Sequence, residues 1–249
     1  MPAEDERFPS VWTRPPRRRR EQPTLSREQI VSEAVRLLDA EGIDALSMRR
    51  LGARLGAVAT SIYWHVANKD ELVELVVDEV FGEARVPAAD DPAHWREAVS
   101  DCARSLRAVI LRHPWISSLH GQIGLAYLGP NLVRLSEGIL AVFETAGLSS
   151  KEAEQAMKAV TTYASGAATS EAAYLSAHAR SGRNEQDWLE SLRPATEQAV
   201  RDHPRLRARY AEQHGEDPAR TREENFDYGL ARLLDGIRTR LGSADGSSG

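Results

Sequence analysis

The stretch "SMRRLGARLGAVATSIYWHVANKDEL", residues 47–72, decides the fold. Two short helices are predicted in it. The first contains Leu51 and Leu55, four residues apart, just before Gly56. The second, at residues 60–65, contains Ile62, and Val66 follows four residues later in helical spacing. A glycine at position 56 suits the sharp turn that closes a short helix. Two short helices joined by such a turn, between helices that carry a core, are typical of a helix-turn-helix.

Longer helices are predicted on both sides of this stretch. Upstream, Ser26 stands three residues before Gln29 in capping-box spacing, an apolar stripe follows, and Gly42 ends the helix. Downstream, Asn68 is expected to cap a long helix that has Glu71 at its third position. The order of these elements predicts an all-α protein with an amino-terminal three-helix head built around a helix-turn-helix.

Three consecutive rings, Tyr63, Trp64 and His65, lie in the second short helix of this motif. If Ile62 and Val66 face the core, the cluster points outward or sideways, where it has no core role. A tyrosine hydroxyl and a histidine N–H can donate to phosphate oxygens, and a tryptophan ring can pack against sugars. We therefore expect the cluster to hold the DNA backbone, with a half-buried core position as the alternative for Trp64.

Other residues of the motif are suited to contacts with bases. Arg49 can bond O6 and N7 of a guanine together, and the methyl and hydroxyl groups of Thr60 and Ser61 can meet base edges. An ordinary exposed helix arginine is the alternative for Arg49. Met48 and Ala59 beside them complete the predicted DNA-binding set, to which Lys69 adds a mobile positive charge for phosphate.

The charge distribution favours a polyanionic partner for the amino-terminal third. The net charge of the chain is −5, yet residues 13–69 contain eleven Lys/Arg against six Asp/Glu. The densest run, "RPPRRRREQP", lies in residues 1–24, which we expect to form a disordered arm because its prolines oppose helix formation. This arm is either a solvated tail or a segment that binds phosphates or the minor groove.

Residues 26–81 resemble the DNA-binding head of the tetracycline-repressor (TetR) family, through "LSMRRLGARLG" and "SIYWHVANKDEL". The resemblance implies that the third helix enters the major groove, while the first and fourth support it. It also assigns phosphate contacts to Tyr63, the Trp64–His65 pair and Lys69, a guanine contact to Arg49, and a base contact to Ser61. Ala59 and Thr60 depart from the family pattern, so we expect a different operator sequence.

A larger helical domain is predicted after the head. Residues 25–85 form the DNA-binding domain in this interpretation, residues 95–241 a ligand-binding and dimerisation domain, and residues 242–249 a disordered tail. Helices are expected at 95–112, 131–146, 151 to about 178, and 223–241, and small residues in the third of these indicate close helix packing. Residues 181–222 are polar, with one or two exposed helices and no function that the sequence indicates.

The final helix indicates a homodimer. Its "FDYGLARLLDGI" resembles the last helix of TetR regulatory domains, which implies a four-helix interface between two copies. A dimer also suits two heads that reach successive major grooves on one DNA face. The alternative is a monomeric core helix. The residues expected in the interface, or in the core beneath it, are Met157, Tyr163, Phe226, Leu230, Leu233 and Ile237.

The same resemblance implies a small-molecule effector. In the family, a cavity between the regulatory helices binds a ligand, which displaces the connecting helix, here starting at Lys69, and moves the heads apart. The candidates for the lining are Cys102, Leu106, Trp115, His120, Gln122 and Tyr127. A small core residue is the alternative for Cys102 and a satisfied core histidine for His120. The segment "LHGQIGLAYLGPN" departs from the family pattern, so we expect neither a metal-tetracycline ligand nor another metal or cofactor.

Several other classes of protein are disfavoured. A single cysteine cannot form an internal disulfide, and no eighteen uncharged apolar residues run together, which predicts a cytoplasmic protein without a membrane span. No nucleophile elbow, His-Glu-x-x-His or glycine-rich phosphate loop indicates an enzyme. The sequence thus predicts a homodimeric transcriptional regulator, a repressor that a small molecule releases from double-stranded DNA. The remaining alternative is a helical ligand-binding or scaffold protein that keeps the fold without binding DNA.

Overall fold

The computed structural model describes residues 25–88, 90–119, 129–213 and 215–244. Within these ranges all regular secondary structure is helical, as the sequence predicts. The α-helices are α1 (Arg27–Glu41), α2 (Met48–Arg54), α3 (Ala59–Tyr63), α4 (Lys69–Phe81), α5 (Trp95–Arg112), α6 (Pro130–Thr145), α7 (Ser150–Ser181), α8 (Glu185–Val200), α9 (Pro204–Glu212) and α10 (Pro218–Ala244). Short 3₁₀ turns occupy Ile43–Ala45, Pro92–His94 and Pro114–Leu119.

The helix starts of the head follow the predicted caps. Ser26 and Gln29 form both bonds of a capping box, and Asn68 accepts a hydrogen bond from the Glu71 N–H. Gly56 has φ +63°, in the left-handed region, so it makes the predicted turn after α2. The second helix of the motif begins one residue earlier and ends two residues earlier than predicted, because the chain leaves α3 in a tight turn in which the His65 N–H bonds the Ile62 carbonyl.

The two short helices approach each other closely. A Cβ at Gly52 would lie 2.7 Å from the Ala57 carbonyl oxygen and 3.3 Å from the Ala59 nitrogen, so a glycine is needed there. Ile62 and Val66 are completely buried, which confirms the prediction that they face the core. The outward direction of the rest of α3 follows from this packing.

Helix α4 connects the head to the remaining helices. It is buried along most of its length, and its carboxyl-terminal half meets the start of α6. There the Asp78 carboxylate accepts hydrogen bonds from the backbone N–H groups of Asn131 (2.9 Å) and Leu132 (3.1 Å). A Cβ at Gly129 would lie 2.2 Å from this carboxylate, so the residue just before α6 has to be a glycine.

The helices after α4, called the body below, are organised around α7. Alanines of this helix, among them Ala153, Ala164 and Ala168, are buried completely, and α7 packs most extensively on α5. These contacts confirm the close helix packing that the small residues predict. The bounds of α5 are those predicted, while α10 begins five residues earlier than expected, at Pro218.

Helices α8 and α9 form the exposed pair that the sequence predicts between 181 and 222. Neither of them contains a buried residue. In the part of the chain that the structure describes, no helix is long and apolar enough to cross a membrane.

Candidate nucleic-acid interface

Helix α3 and the turns around it present an unusual exposed surface. The exposed fraction of the side chain is 70% for Trp64 and 45% for Tyr63, and Thr60 is exposed as well. Ser61 and His65 are partly exposed. The alternative of a half-buried core position for Trp64 is therefore wrong. Exposing two large rings to water is unfavourable unless a partner covers them, so this surface is suited to binding.

The three arginines of α2 have different surroundings. Arg50 is paired with Glu41 of α1, and the Arg54 Nε donates to Glu33 at 2.6 Å. Arg49 is exposed and forms no ion pair with any residue the structure describes. Two arginines thus tie α2 to α1, whereas the guanidinium of Arg49 is available to an external partner.

The ion pair between Glu33 of α1 and Arg54 of α2 also changes the pKa of the carboxyl group. The hydrogen bond from Arg54 lowers the pKa of Glu33, more than the burial of the carboxylate raises it. The charged form of Glu33 is therefore the form that holds α2 in place.

Two members of the predicted DNA-binding set are turned toward the protein. Met48 is buried, at 7% exposure, and packs in the core of the head, so its prediction as a DNA contact is corrected. It shares the inner face of α2 with Leu51, three residues on, while Arg49 lies on the outer face. Ala59 is partly buried at the contact with Gly52, although it begins the helix that carries the exposed residues.

The start of α4 is fixed by its own cap. Lys69 is the first residue of this helix and is exposed. The Ala67 N–H donates to the Glu71 carboxylate at 2.6 Å, so the residue before the Asn68 cap is also bonded to the third residue of the helix. The Arg27 guanidinium donates to the His65 carbonyl at 3.3 Å, so the chain between α3 and α4 is held from two sides.

One exposed residue of this surface is absent from the predicted set. Val58, the residue before α3, is 69% exposed. An apolar residue in the turn of a helix-turn-helix is the only indication that the sequence offers, and by itself it is weak. A thymine methyl group is the base feature that such a side chain could contact.

The positive charge of the amino-terminal third does not lie in the folded head. Residues 25–85 contain seven Lys/Arg against eleven Asp/Glu, so the arginines of residues 1–24 supply the excess of positive charge. The predicted arm, like the tail from residue 245 onward, lies outside the described residues.

The predicted ligand residues are divided between the core and the undescribed part of the chain. Cys102, Leu106 and Trp115 are at most 5% exposed and pack in the core. Burial raises the pKa of the Cys102 thiol to about 12. The Trp115 Nε1–H donates to Asp39 of α1 at 2.8 Å, so this ring links the body to the head. His120, Gln122 and Tyr127 lie outside the described residues.

A large cavity lies elsewhere, between α7, α8, α9 and α10. Its volume is about 610 Å³, and none of the described members of the predicted ligand set borders it. Most of its lining comes from residues 181–222, to which the sequence interpretation gave no function. On α8, Leu189, Leu192 and Thr196 line the cavity. The polar composition of residues 181–222 as a whole gave no indication of this face of α8.

The predicted interface residues of α7 and α10 lie at two depths. Phe226 and Leu230 are buried within the single chain, at 4% and 1% exposure, so they belong to the core beneath. The partly buried members of the set are Met157, Tyr163, Leu233 and Ile237. Tyr228 of α10, which the prediction did not include, is 69% exposed.

Comparison with known proteins gives matches to both parts of the chain. Residues 30–76 match the family model of bacterial regulatory proteins of the tetR family, and residues 87–241 match that of the tetracyclin repressor-like C-terminal domain. An HTH-type transcriptional regulator of Saccharopolyspora erythraea is 36% identical over 236 residues, covering 94% of this chain and 93% of that protein. The HTH-type transcriptional repressor DrrR1 of Streptomyces coeruleorubidus is 31% identical over 228 residues, covering 91% and 82%.

A solved structure is similar over the same span. The crystal structure of the TetR family protein ActR of Streptomyces coelicolor, in complex with actinorhodin, matches with a TM-score of 0.70 and 29% identity. The match covers 88% of this chain and 100% of that one.

Proposed function

The chain belongs to the TetR family of bacterial regulatory proteins, and we propose that it works as a homodimeric cytoplasmic repressor whose hold on operator DNA is released by a small molecule. It is a DNA-binding transcriptional regulator, as its relatives are. The observation that carries the assignment of the DNA contacts is the exposed surface of α3 beside Arg49, which forms no ion pair with any described residue.

The proposed contacts divide into those that position the protein and those that select the sequence. Tyr63, Trp64, His65 and Lys69 bind sugars and phosphates, which fixes α3 in the major groove without selecting bases. Arg49 bonds O6 and N7 of a guanine. The sequence preference is completed by contacts to base edges from Thr60, Ser61 and Val58.

The proposed dimer forms through α7 and α10. Two heads of one homodimer can occupy half-sites about 34 to 36 Å apart on one face of the DNA, whereas a single head of this size has too small a contact for tight specific binding. The partly exposed apolar residues Met157, Leu233 and Ile237 and the exposed Tyr228 supply a surface for the second copy.

The proposal of an effector is supported by a relative and by the body of this chain. ActR was crystallised with actinorhodin, so a protein of this fold and 29% identity holds a small molecule. The cavity of about 610 Å³ in this chain is of the size that small-molecule sites have.

Selection of bound sequences from a random duplex pool tests the DNA-binding part directly. We expect enrichment of an inverted repeat whose affinity falls steeply with salt, because the protein displaces counterions from the phosphates. Absence of any enriched sequence at low salt would instead support a scaffold that keeps the fold without binding DNA.

Variants then separate selection from positioning. Arg49→Ala is expected to cost about 1–3 kcal/mol on the enriched duplex and to relax the preference at one position. Lys69→Ala is expected to weaken binding to all sequences alike and to reduce the salt slope by about one. Arg205→Ala removes the same charge as Arg49→Ala from the exposed surface of α9, away from the head and from the proposed dimer surface, and is the control. Equal losses for Arg49→Ala on enriched and random DNA would limit Arg49 to a phosphate contact.

A further inference from the structure

The cavity between α7, α8, α9 and α10 has an aromatic wall. Tyr163, Tyr174, Tyr210 and Phe226 all line it. The rings of Tyr163 and Phe226 are 5.5 Å apart, and the ring of Tyr174 is 5.1 Å from that of Trp188 on α8. Leu189 and Leu192 of α8 and Ala167 of α7 add apolar surface between these rings. Walls of this kind favour a flat aromatic molecule, since ring contacts add to the burial of apolar area.

The charged groups of the wall are already paired. Glu171 accepts two hydrogen bonds from Arg107 of α5, at 2.7 and 2.9 Å, and Arg222 of α10 is paired with Glu185. The other charged side chains of the lining, Arg193 and Glu216, also have partners of opposite charge. A ligand with a net charge would have to break one of these pairs, so the wall favours a molecule without net charge.

One polar group of the wall remains without a hydrogen bond. The Nε atom of Arg222 is buried and has no hydrogen-bond partner in the part of the chain that the structure describes, with the nearest Glu171 oxygen at 3.4 Å. The guanidinium carbon of the same residue lies 5.1 Å from the centre of the Tyr174 ring. This Nε atom has almost no exposed surface, so a ligand in the cavity cannot reach it. The amide side chains of the lining, Gln186, Gln213 and Asn225, can instead donate to oxygen acceptors on a bound ring system.

We propose that this cavity, on the outer side of α7, is the effector site, and that it takes a flat aromatic molecule without net charge that carries carbonyl or hydroxyl oxygens. The inference rests on the proposed function, to which it adds the position of the site and the class of its ligand. It places the ligand away from Cys102, Leu106 and Trp115, which are packed in the core.

The helices around the cavity allow a ligand to enter and connect the cavity to the helices that hold α4. Helices α8 and α9 contain no buried residue, so their separation from α7 and α10 exposes little apolar surface. On the opposite wall, Glu171 is bonded to Arg107 of α5, and α5 packs on α7 and α6. A ligand that moves Glu171 therefore acts on the same helices that hold the connecting helix α4.

The test uses 1,8-dihydroxyanthraquinone as the probe, with the full chain. Calorimetric titration is expected to give saturable binding of one molecule per chain. Leu192→Arg places a charge on the apolar wall and is expected to weaken binding at least about tenfold. Leu206→Arg, which changes an exposed leucine of α9 outside the lining, is the matched control. Ala167→Phe fills the cavity from α7 and is expected to act like Leu192→Arg, with the exposed Ala173→Phe on the same helix as its control.

Binding to the enriched duplex, followed by fluorescence anisotropy without and with the probe, completes the experiment. Release of wild-type protein by the probe, but not of Leu192→Arg, supports the proposal. Failure of the probe to bind wild type, or equal binding by all variants, overturns it. Conversion of a dimer to a monomer by Leu192→Arg in sedimentation also overturns it, because a second copy would then cover the cavity. Probe binding without any duplex binding would leave the cavity as a ligand site and refute the proposed DNA-binding function instead.

Discussion

Replacing Asp78 by asparagine is expected to loosen the contact between the connecting helix α4 and α6. Asp78 is 4% exposed, and its carboxylate accepts three hydrogen bonds at the start of α6, two from backbone N–H groups and one from the Asn131 side chain at 3.0 Å. The carboxylate therefore acts as a cap that comes from another helix. Gly129, the residue before α6, has no side chain to offer in its place.

The structure sets the size of the effect. The asparagine side chain keeps an oxygen that accepts from both backbone N–H groups, but its amide N–H₂ faces the N–H₂ of Asn131. The bond from the Asn131 side chain is therefore lost, and the two bonds from the backbone are weakened because their acceptor is no longer charged. Hydrogen bonds to charged groups contribute about 1.5–3 kcal/mol each. Burial raises the pKa of Asp78, more than its bonds to Leu132 and Asn131 lower it, which shows that the charge is held at a cost that asparagine avoids. We therefore expect a loss of about 2 kcal/mol for Asp78→Asn, and about 4 kcal/mol for Asp78→Ala, which leaves the N–H groups without an acceptor.

Urea denaturation followed by far-UV circular dichroism measures these losses, and a melting temperature lower by about 4–8 °C is expected for Asp78→Asn. Glu79→Gln, at the exposed neighbouring position, removes the same charge and is expected to be neutral within about 0.5 kcal/mol. Equal stability of Asp78→Asn and wild type, or an equal loss for Glu79→Gln, would refute the assignment of Asp78 as the cap of α6.

Two further predictions concern α10 and its neighbours. Gly229→Ala places a Cβ 2.2 Å from the Tyr163 hydroxyl oxygen and is expected to cost about 1–3 kcal/mol in urea denaturation, whereas Gly236→Ala, with nothing within 4 Å, should gain up to about 1 kcal/mol. An equal gain in stability for both variants would show that helix propensity alone decides the outcome, and it would contradict the predicted clash with the Tyr163 ring. Burial raises the pKa of Glu185, but the hydrogen bond from Arg222 is foremost among the contacts that bring this pKa below its ordinary value. The stability that Glu185 supplies is therefore present above its unfolded pKa and lost as the pH falls through its folded pKa. Glu185→Gln should therefore be less stable than wild type at pH 7 by under about 1 kcal/mol, and the difference should shrink as the pH falls through the folded pKa of Glu185; a difference that grows on acidification would contradict this sign.

The local structure of the head could be predicted because its determinants are close in sequence. Ser26 with Gln29, and Asn68 with Glu71, are three residues apart, and the structure forms both predicted caps. The four-residue spacing of Ile62 and Val66 similarly determined which side of α3 faces outward. Met48 was placed wrongly because a first-turn residue of a short helix can face either way, and only the packing of α2 on α1 and α3 decides it.

The cavity and the contact between α4 and α6 could not be predicted, since they depend on residues far apart in sequence. Tyr163 and Phe226 are separated by 63 positions, and Asp78 and Asn131 by 53. Their types suit many environments, and no periodicity relates them. The small residues of α7 indicated a close neighbour without identifying it. In the same way, the polar composition of α8 indicated solvent exposure without showing that Leu189 and Leu192 face α7 across a cavity.

The contacts at the carboxyl-terminal end of α4 limit how an effector can move the heads. A ligand that shifts a two-state equilibrium from 1:99 to 99:1 must favour one state by about 5.5 kcal/mol. The Asp78 contact alone, at about 2–4 kcal/mol, is weaker than such a shift. His113, which is 3% exposed, supplies a second contact, with Nδ1 2.7 Å from Asp39 of α1 and Nε2 3.2 Å from Glu83 just after α4. The Asp78 contact joins α6 to α4, and the His113 contacts join the end of α5 to α1 and to the residue that follows α4. A movement of the head relative to α5 and α6 therefore has to break both sets of contacts. We therefore expect the proposed release of DNA to require α6 and the His113 turn, which both come after α5 in the chain, to move together.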